Sequence, residues 1–188
     1  MLEPLLCRSS HANPTRCYDR RVRRLFLLVL TIVLALSAAA QTKSTPEERR
    51  WAVETTHWLE EHPTDAEGKS RSAALMRWWV AVPDLTLSSC PMLLEMKNES
   101  VGEAVVTQAM FSWGAWMIEH PEASRADLVM AGVEGGLRAY ANAVSKDEKL
   151  RDSFLDQLVA AQAAGKLKET YVDAAVKHCD EADSKKAK

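Results

Sequence analysis

Two tetrads, Thr45-Pro46-Glu47-Glu48 and Ser124-Arg125-Ala126-Asp127, leave this chain little choice but to start helices. In each, a hydroxyl can accept the amide three residues on while the acid at that position reaches back, satisfying two helix-end donors that would otherwise be orphaned. Pro46 adds a preset φ at the first helical position. Apolar residues then recur at helical spacing. Trp51, Thr55, Trp58 and Leu59 share a face until His62-Pro63 stops the first helix. A second helix is predicted over 70–82, with Ala74, Leu75, Trp78, Trp79 and Val82 inward and Pro83 at its end. After an extended connector at 85–89, a short helix is predicted over 91–98. The most apolar helix opens at Gly102 and carries Val105, Val106, Met110, Phe111, Trp113, Trp116, Met117 and Ile118. Apolar groups on more than one face predict a central, buried element.

The helix begun at Ser124 runs to about Val144 and contains Gly132, Gly135 and Gly136. Each costs roughly 1 kcal/mol against Ala, which makes sense where another helix or a ligand comes close to the backbone. A last pair is predicted over 148–164 and 167–179, divided by Gly165 as a left-handed stop. The expected fold is all-α, a compact bundle of about six or seven helices. Trp58-Leu59-Glu60-Glu61-His62-Pro63 echoes Trp116-Met117-Ile118-Glu119-His120-Pro121, and Ser70-Arg71 with Met76 echoes Ser124-Arg125 with Met130. The echo raises a duplicated helix–loop–helix unit beside chance convergence of helix-stop chemistry.

Ahead of this body lies a leader. Arg20-Arg21-Val22-Arg23-Arg24, the apolar run 25–36 and Ser37-Ala38-Ala39-Ala40 read as the charged, apolar and small-residue parts of a secretory signal peptide. The apolar run is short against the ~20 residues of a membrane span. Cleavage is expected near Ala40, leaving Gln41 first; the membrane is met only through the leader if it stays uncleaved. Arg23-Arg24-Leu25-Phe26-Leu27 is similar to the twin-arginine export motif, but Val22 stands where Ser or Thr is usual. A start at Val22 would give a leader of ordinary length. Six of the 24 basic residues and two of the 26 acids fall in 1–40, so the leader carries +4 and the rest −6. An acidic body without a basic block argues against nucleic acid as partner. The predicted organisation is a leader over 1–40, one helical domain over 41–179, and a polar disordered tail over 180–188. Cys7 and Cys17 belong to the leader; Cys90 and Cys179 remain as an even pair in an oxidising compartment, where a disulfide is expected.

No site announces itself. His57, Glu61 and His62 miss the spacing of zinc motifs, and a His before a helix-stopping Pro has a structural explanation. Cys90, Met92 and Met96 have the softness that suits copper(I), but Met also fills core gaps and Cys90 is claimed by the disulfide. No nucleophile elbow, P-loop or Rossmann fingerprint is present, so no cofactor is expected. Asn98-Glu99-Ser100 fits a glycosylation sequon. Trp78 and Trp79 cannot both point inward, and Trp113 and Trp116 share a face; these four indoles are the candidate binding residues. The paired carboxylates near Glu60, Glu61 and Glu119 are the candidate site of an alternative, a small cell-envelope hydrolase.

The run Trp78-Trp79-Val80-Ala81-Val82-Pro83-Asp84 before Cys90 resembles small secreted bacterial proteins, which implies no activity. The elements over 58–63 and 73–83 resemble the helix–EHP–helix hairpin of periplasmic amidase-immunity proteins, without that family's other cysteine context. The expectation is an exported, periplasmic or secreted, non-catalytic helical protein that binds a protein or small ligand through a Trp-lined groove. An immunity or inhibitor protein is its sharper form.

Overall fold

The computed structural model describes residues 43–87, 92–93 and 95–186. The chain divides into two units, 1–41 and 42–188, and the described residues belong to the second. The leader, its cleavage site, Cys7, Cys17 and Cys90 lie outside the described residues. Among the described residues six α-helices follow one another: α1 (Pro46–Glu61), α2 (Ala66–Ala81), α3 (Glu99–Glu119), α4 (Arg125–Lys146), α5 (Ser153–Ala163) and α6 (Asp173–Lys186). A 3-10 turn at Glu148–Leu150 precedes α5, and a π turn at Lys168–Val172 leads into α6. There is no strand among the described residues, and none of their helices is long and apolar enough to cross a membrane.

Both tetrads act as capping boxes. Thr45 Oγ1 accepts the Glu48 amide at 3.2 Å while the Thr45 amide donates to Glu48 Oε2 at 2.7 Å. Ser124 and Asp127 exchange the same pair at 3.3 and 3.0 Å. Just ahead of α1, the Ser44 amide and hydroxyl and the Arg49 guanidinium all donate to the Asp84 carboxylate. The start of α1 is thereby tied to the end of α2, and the Ser44 amide foremost holds Asp84 below the usual carboxylate range.

α2 begins a turn earlier than the periodicity predicts. The turn after α1 folds onto its first turn, where a Cβ at Gly68 would stand 2.3 Å from the His62 carbonyl oxygen. The helix predicted over 91–98 does not form in residues 92–93 and 95–98. Leu93 sits at φ 59°, a left-handed conformation that cannot continue a right-handed helix. The backbone donors there go to distant side chains instead. The Leu93 amide donates to Tyr171 Oη at 2.7 Å, and the Lys97 and Asn98 amides donate to Asp152 Oδ2 at 2.8 and 2.9 Å.

α3 lies between two apolar clusters, which is why no single face of it is apolar. One cluster joins α3, α4, α5, the π turn and α6 through Val105, Val133, Leu137, Leu155, Val172 and Ala175, with Met92 and Leu93 inserted. The other gathers Ala52, Leu59, Leu75, Trp79 and Phe111 from α1, α2 and α3. The α4 glycines let α3 approach closely. A Cβ at Gly132 would lie 2.9 Å from the Ala109 carbonyl oxygen, and one at Gly135 2.0 Å from Ser112 Oγ.

At the C-terminal end, Gly165 adopts φ 69° and the Lys166 amide returns to the Ala161 carbonyl, closing α5. The stretch from Asp180, read from composition as the start of a disordered tail, is helical through Lys186. Asp180 and Asp183 lie one turn apart on α6, and the Arg125 guanidinium reaches both, at 3.4 and 2.7 Å. The repeated Trp-x-x-x-His sequence has a repeated local form. His62 stacks on Trp58 with ring centroids 4.1 Å apart, and His120 stacks on Trp116 at 3.8 Å, each closing its helix. The likeness stops at the helix ends: Ser124 caps α4, whereas Ser70 lies inside α2.

Candidate functional site

Glu60 is the only buried acid of the EE and EHP runs, and its burial organises the polar interior. It projects from the last turn of α1 toward α3 and α4. Arg138 clasps it with two parallel bonds, Nε to Oε2 at 2.7 Å and Nη2 to Oε1 at 2.9 Å. Ser112 Oγ donates to Oε1 at 2.7 Å, and Asn142 Nδ2 donates to the Glu60 carbonyl at 2.9 Å. The Glu60 hydrogen bond raises the Arg138 pKa above its ordinary value. Glu60 thus satisfies the rule that a buried charge is paired and hydrogen-bonded. His57 stands at the rim with its ring nitrogens 3.7 Å from Glu60 Oε2 and 3.9 Å from Glu119 Oε2. Glu119 and Glu61 are exposed.

This network fixes the orientation of Gln108. The carboxylate accepts the single Ser112 proton, so Ser112 Oγ can only accept from Gln108 Nε2, 3.1 Å away. Gln108 Nε2 also donates to the Thr56 carbonyl at 3.1 Å. Both amide hydrogens are committed inward, which settles the O/N assignment by the network. Gln108 is 4 % exposed, and no donor among the described residues reaches its Oε1.

Gln108 belongs to the floor of a cleft of about 690 Å³ between α2 and the N-terminal half of α3. The two helices meet where Trp79 lies against Gly114, since a Cβ there would stand 2.3 Å from the indole ring. Toward their N-terminal ends they part. Lys69, Ser72, Ala73 and Met76 form one wall, at the i, i+3, i+4, i+7 spacing of a helix stripe; Ser100, Glu103, Ala104 and Thr107 form the other. Leu59 and Phe111 complete an apolar floor. Such a volume lies within the ~300–1,000 Å³ of small-ligand pockets, and apolar lining with few placed polar groups is their usual makeup.

None of the four indoles singled out from sequence lines this cleft. Trp79 and Trp113 are buried, in the second and first clusters respectively. Trp78 is half-buried and meets Trp51 edge-on at 6.2 Å. Among the described residues neither the Trp78 nor the Trp79 indole N–H has a partner. Trp116 is 37 % exposed and borders a separate shallow hollow with His120, Pro121 and Asp127. Met92 and Cys179 belong to the first cluster, with Met96 and Met130 packed against it, while Met117 joins the second. No group of three His, Cys, Asp or Glu among the described residues is placed to hold a metal. Asn98 of the sequon caps α3 and donates Nδ2 to the Lys149 and Arg151 carbonyls, so its amide is a structural clamp.

Sequence reasoning missed Gln108, Ser112 and Thr56. One signal was present: Gln108 and Ser112 are polar residues one turn apart in a largely apolar run. Their partners lie 52 residues away. Compared with known protein families, curated proteins and solved structures, the chain matches none.

Proposed function

We propose that the leader exports the chain in a bacterium, that cleavage near Ala40 releases the body to the periplasm or medium, and that the body is a non-catalytic binding module. Its ligand or protein partner occupies the cleft between α2 and α3. The carrying observation is that cleft, in which the buried Gln108 is held by its own network with an acceptor left unused. An immunity or inhibitor role is the protein-partner form of the same reading. The Cys90–Cys179 disulfide belongs to this proposal. Its support is that Met92 and Leu93, just after Cys90, share a cluster with the buried Cys179, and that Leu93 is tied to Tyr171 of the π turn that leads into α6.

The test is a fragment screen followed by amide NMR. Hits are expected to shift residues 68–76 and 99–111, and Ala104→Trp, which fills the cleft, is expected to abolish them without loss of helicity. Hits that ignore Ala104→Trp would overturn the reading. Sequencing of the secreted product should begin at Gln41. The hydrolase alternative relies on Glu60, Glu61 and Glu119. Glu60 has both oxygens engaged by Arg138 and Ser112, which disfavours it as a proton-transfer group. Peptidoglycan cleavage by the wild type that is lost in Glu119→Gln would favour that alternative.

A further inference from the structure

We propose that the cleft between α2 and α3 selects small organic cations that carry N–H donors on an apolar stem, such as alkylguanidinium or alkylammonium compounds. The inference rests on the binding reading above and adds the ligand class. Three features converge on it. The polar atom at the floor without a partner among the described residues is an acceptor, Gln108 Oε1, and the Glu60–Ser112 arrangement prevents the amide from turning to offer a donor. Glu99 and Glu103, one turn apart on the α3 wall, are exposed and form no ion pair with another described residue. Lys69 is the basic group on the facing α2 wall, so the rim is net acidic and a cation is drawn to the α3 side. Leu59, Met76 and Phe111 supply the surface for the stem. The volume of about 690 Å³ suits a small molecule.

A panel of equal stem length separates the terms. Hexylguanidinium, hexanol and hexanoate are titrated into purified protein, with amide NMR as readout. Hexylguanidinium is expected to shift residues 99–111 and to bind at least about tenfold more tightly than hexanol, the worth of one charge-assisted hydrogen bond. Hexanoate is expected not to bind. The double variant Glu99→Gln/Glu103→Gln, which changes only exposed groups, should weaken hexylguanidinium several-fold and flatten its salt dependence. Gln108→Met, of similar volume, should erase the preference for guanidinium over hexanol. Equal binding of hexanol at the same residues would refute the ligand class while leaving the cleft a binding site. So would unchanged affinity in the double glutamine variant. If no probe shifts the cleft residues, both the class and the binding reading fall.

Discussion

A methyl group at position 135 would stand 2.0 Å from Ser112 Oγ and 2.8 Å from Glu60 Oε1, so Gly135→Ala strikes the buried network directly. Overpacking of this kind costs about 1–3 kcal/mol, and urea unfolding of Gly135→Ala should show a loss in that range. Gly102 makes the control. It lies in the first turns of α3, and its added Cβ would meet only Met96 Cε at 3.7 Å. Gly102→Ala should stabilise by about 0.5–1 kcal/mol. Removing the guanidinium by Arg138→Ala leaves the Glu60 carboxylate buried with Ser112 as its remaining side-chain donor. Breaking a buried pair costs about 3–5 kcal/mol, and the half-exposed Arg138 side chain lowers the expected loss to about 2 kcal/mol. At this scale the sequence was partly legible. The α4 glycines are conspicuous in any helix, but which carboxylate of Glu60-Glu61 turns inward depends on Arg138, 78 residues away.

At the scale of elements, the segment before α3 is held by groups from the far end of the chain. Burial pushes the Tyr171 phenol up to about 12, with Glu95 adding to the shift and the Leu93 amide opposing it. Because the folded value lies above the unfolded one, this contribution to stability is whole below about pH 10 and is lost as pH rises toward 12. Absorbance titration at the phenolate band should find a late-titrating tyrosine that disappears in Tyr171→Phe. That variant also leaves the Leu93 amide without its acceptor, at a cost of about 1–3 kcal/mol by denaturant unfolding. Asp152 acts in the opposite direction. Burial pushes its pKa up, but the amides of Asn98, Lys97, Leu155 and Phe154 together outweigh that and hold it below the usual value. Its contribution is therefore present above about pH 4 and is lost as pH falls through the depressed folded value. Asp152→Asn should flatten the acid limb of the stability profile. Periodicity over 91–98 could not reveal this arrangement: a helix was its cheapest local solution, and Asp152 and Tyr171 supplied a non-local one.

Across the whole molecule, α3 separates two apolar clusters, and the cleft opens where α2 parts from it. The proposed Cys90–Cys179 bridge would close a long loop onto the larger cluster. Reduction should then lower stability by about 4 kcal/mol in the chain-entropy account, read as a shift of the urea midpoint. Thiol titration that finds both cysteines free in the oxidised protein would remove the bridge from the proposal. The helix starts at Pro46 and Arg125, the stop at Gly165 and the all-α class were legible, because capping boxes, prolines and left-handed glycines act through bonds to residues three to five positions away. The cleft and its floor were not. Tryptophan content pointed to the four indoles, but an indole is as readily spent on packing as on a surface, and Trp79 packs in the core against Gly114. Helix identity is written in neighbouring residues. The acceptor at Gln108 is left over only because Gln108 and Ser112 of α3 meet Thr56 and Glu60 of α1, a condition that packing alone imposes.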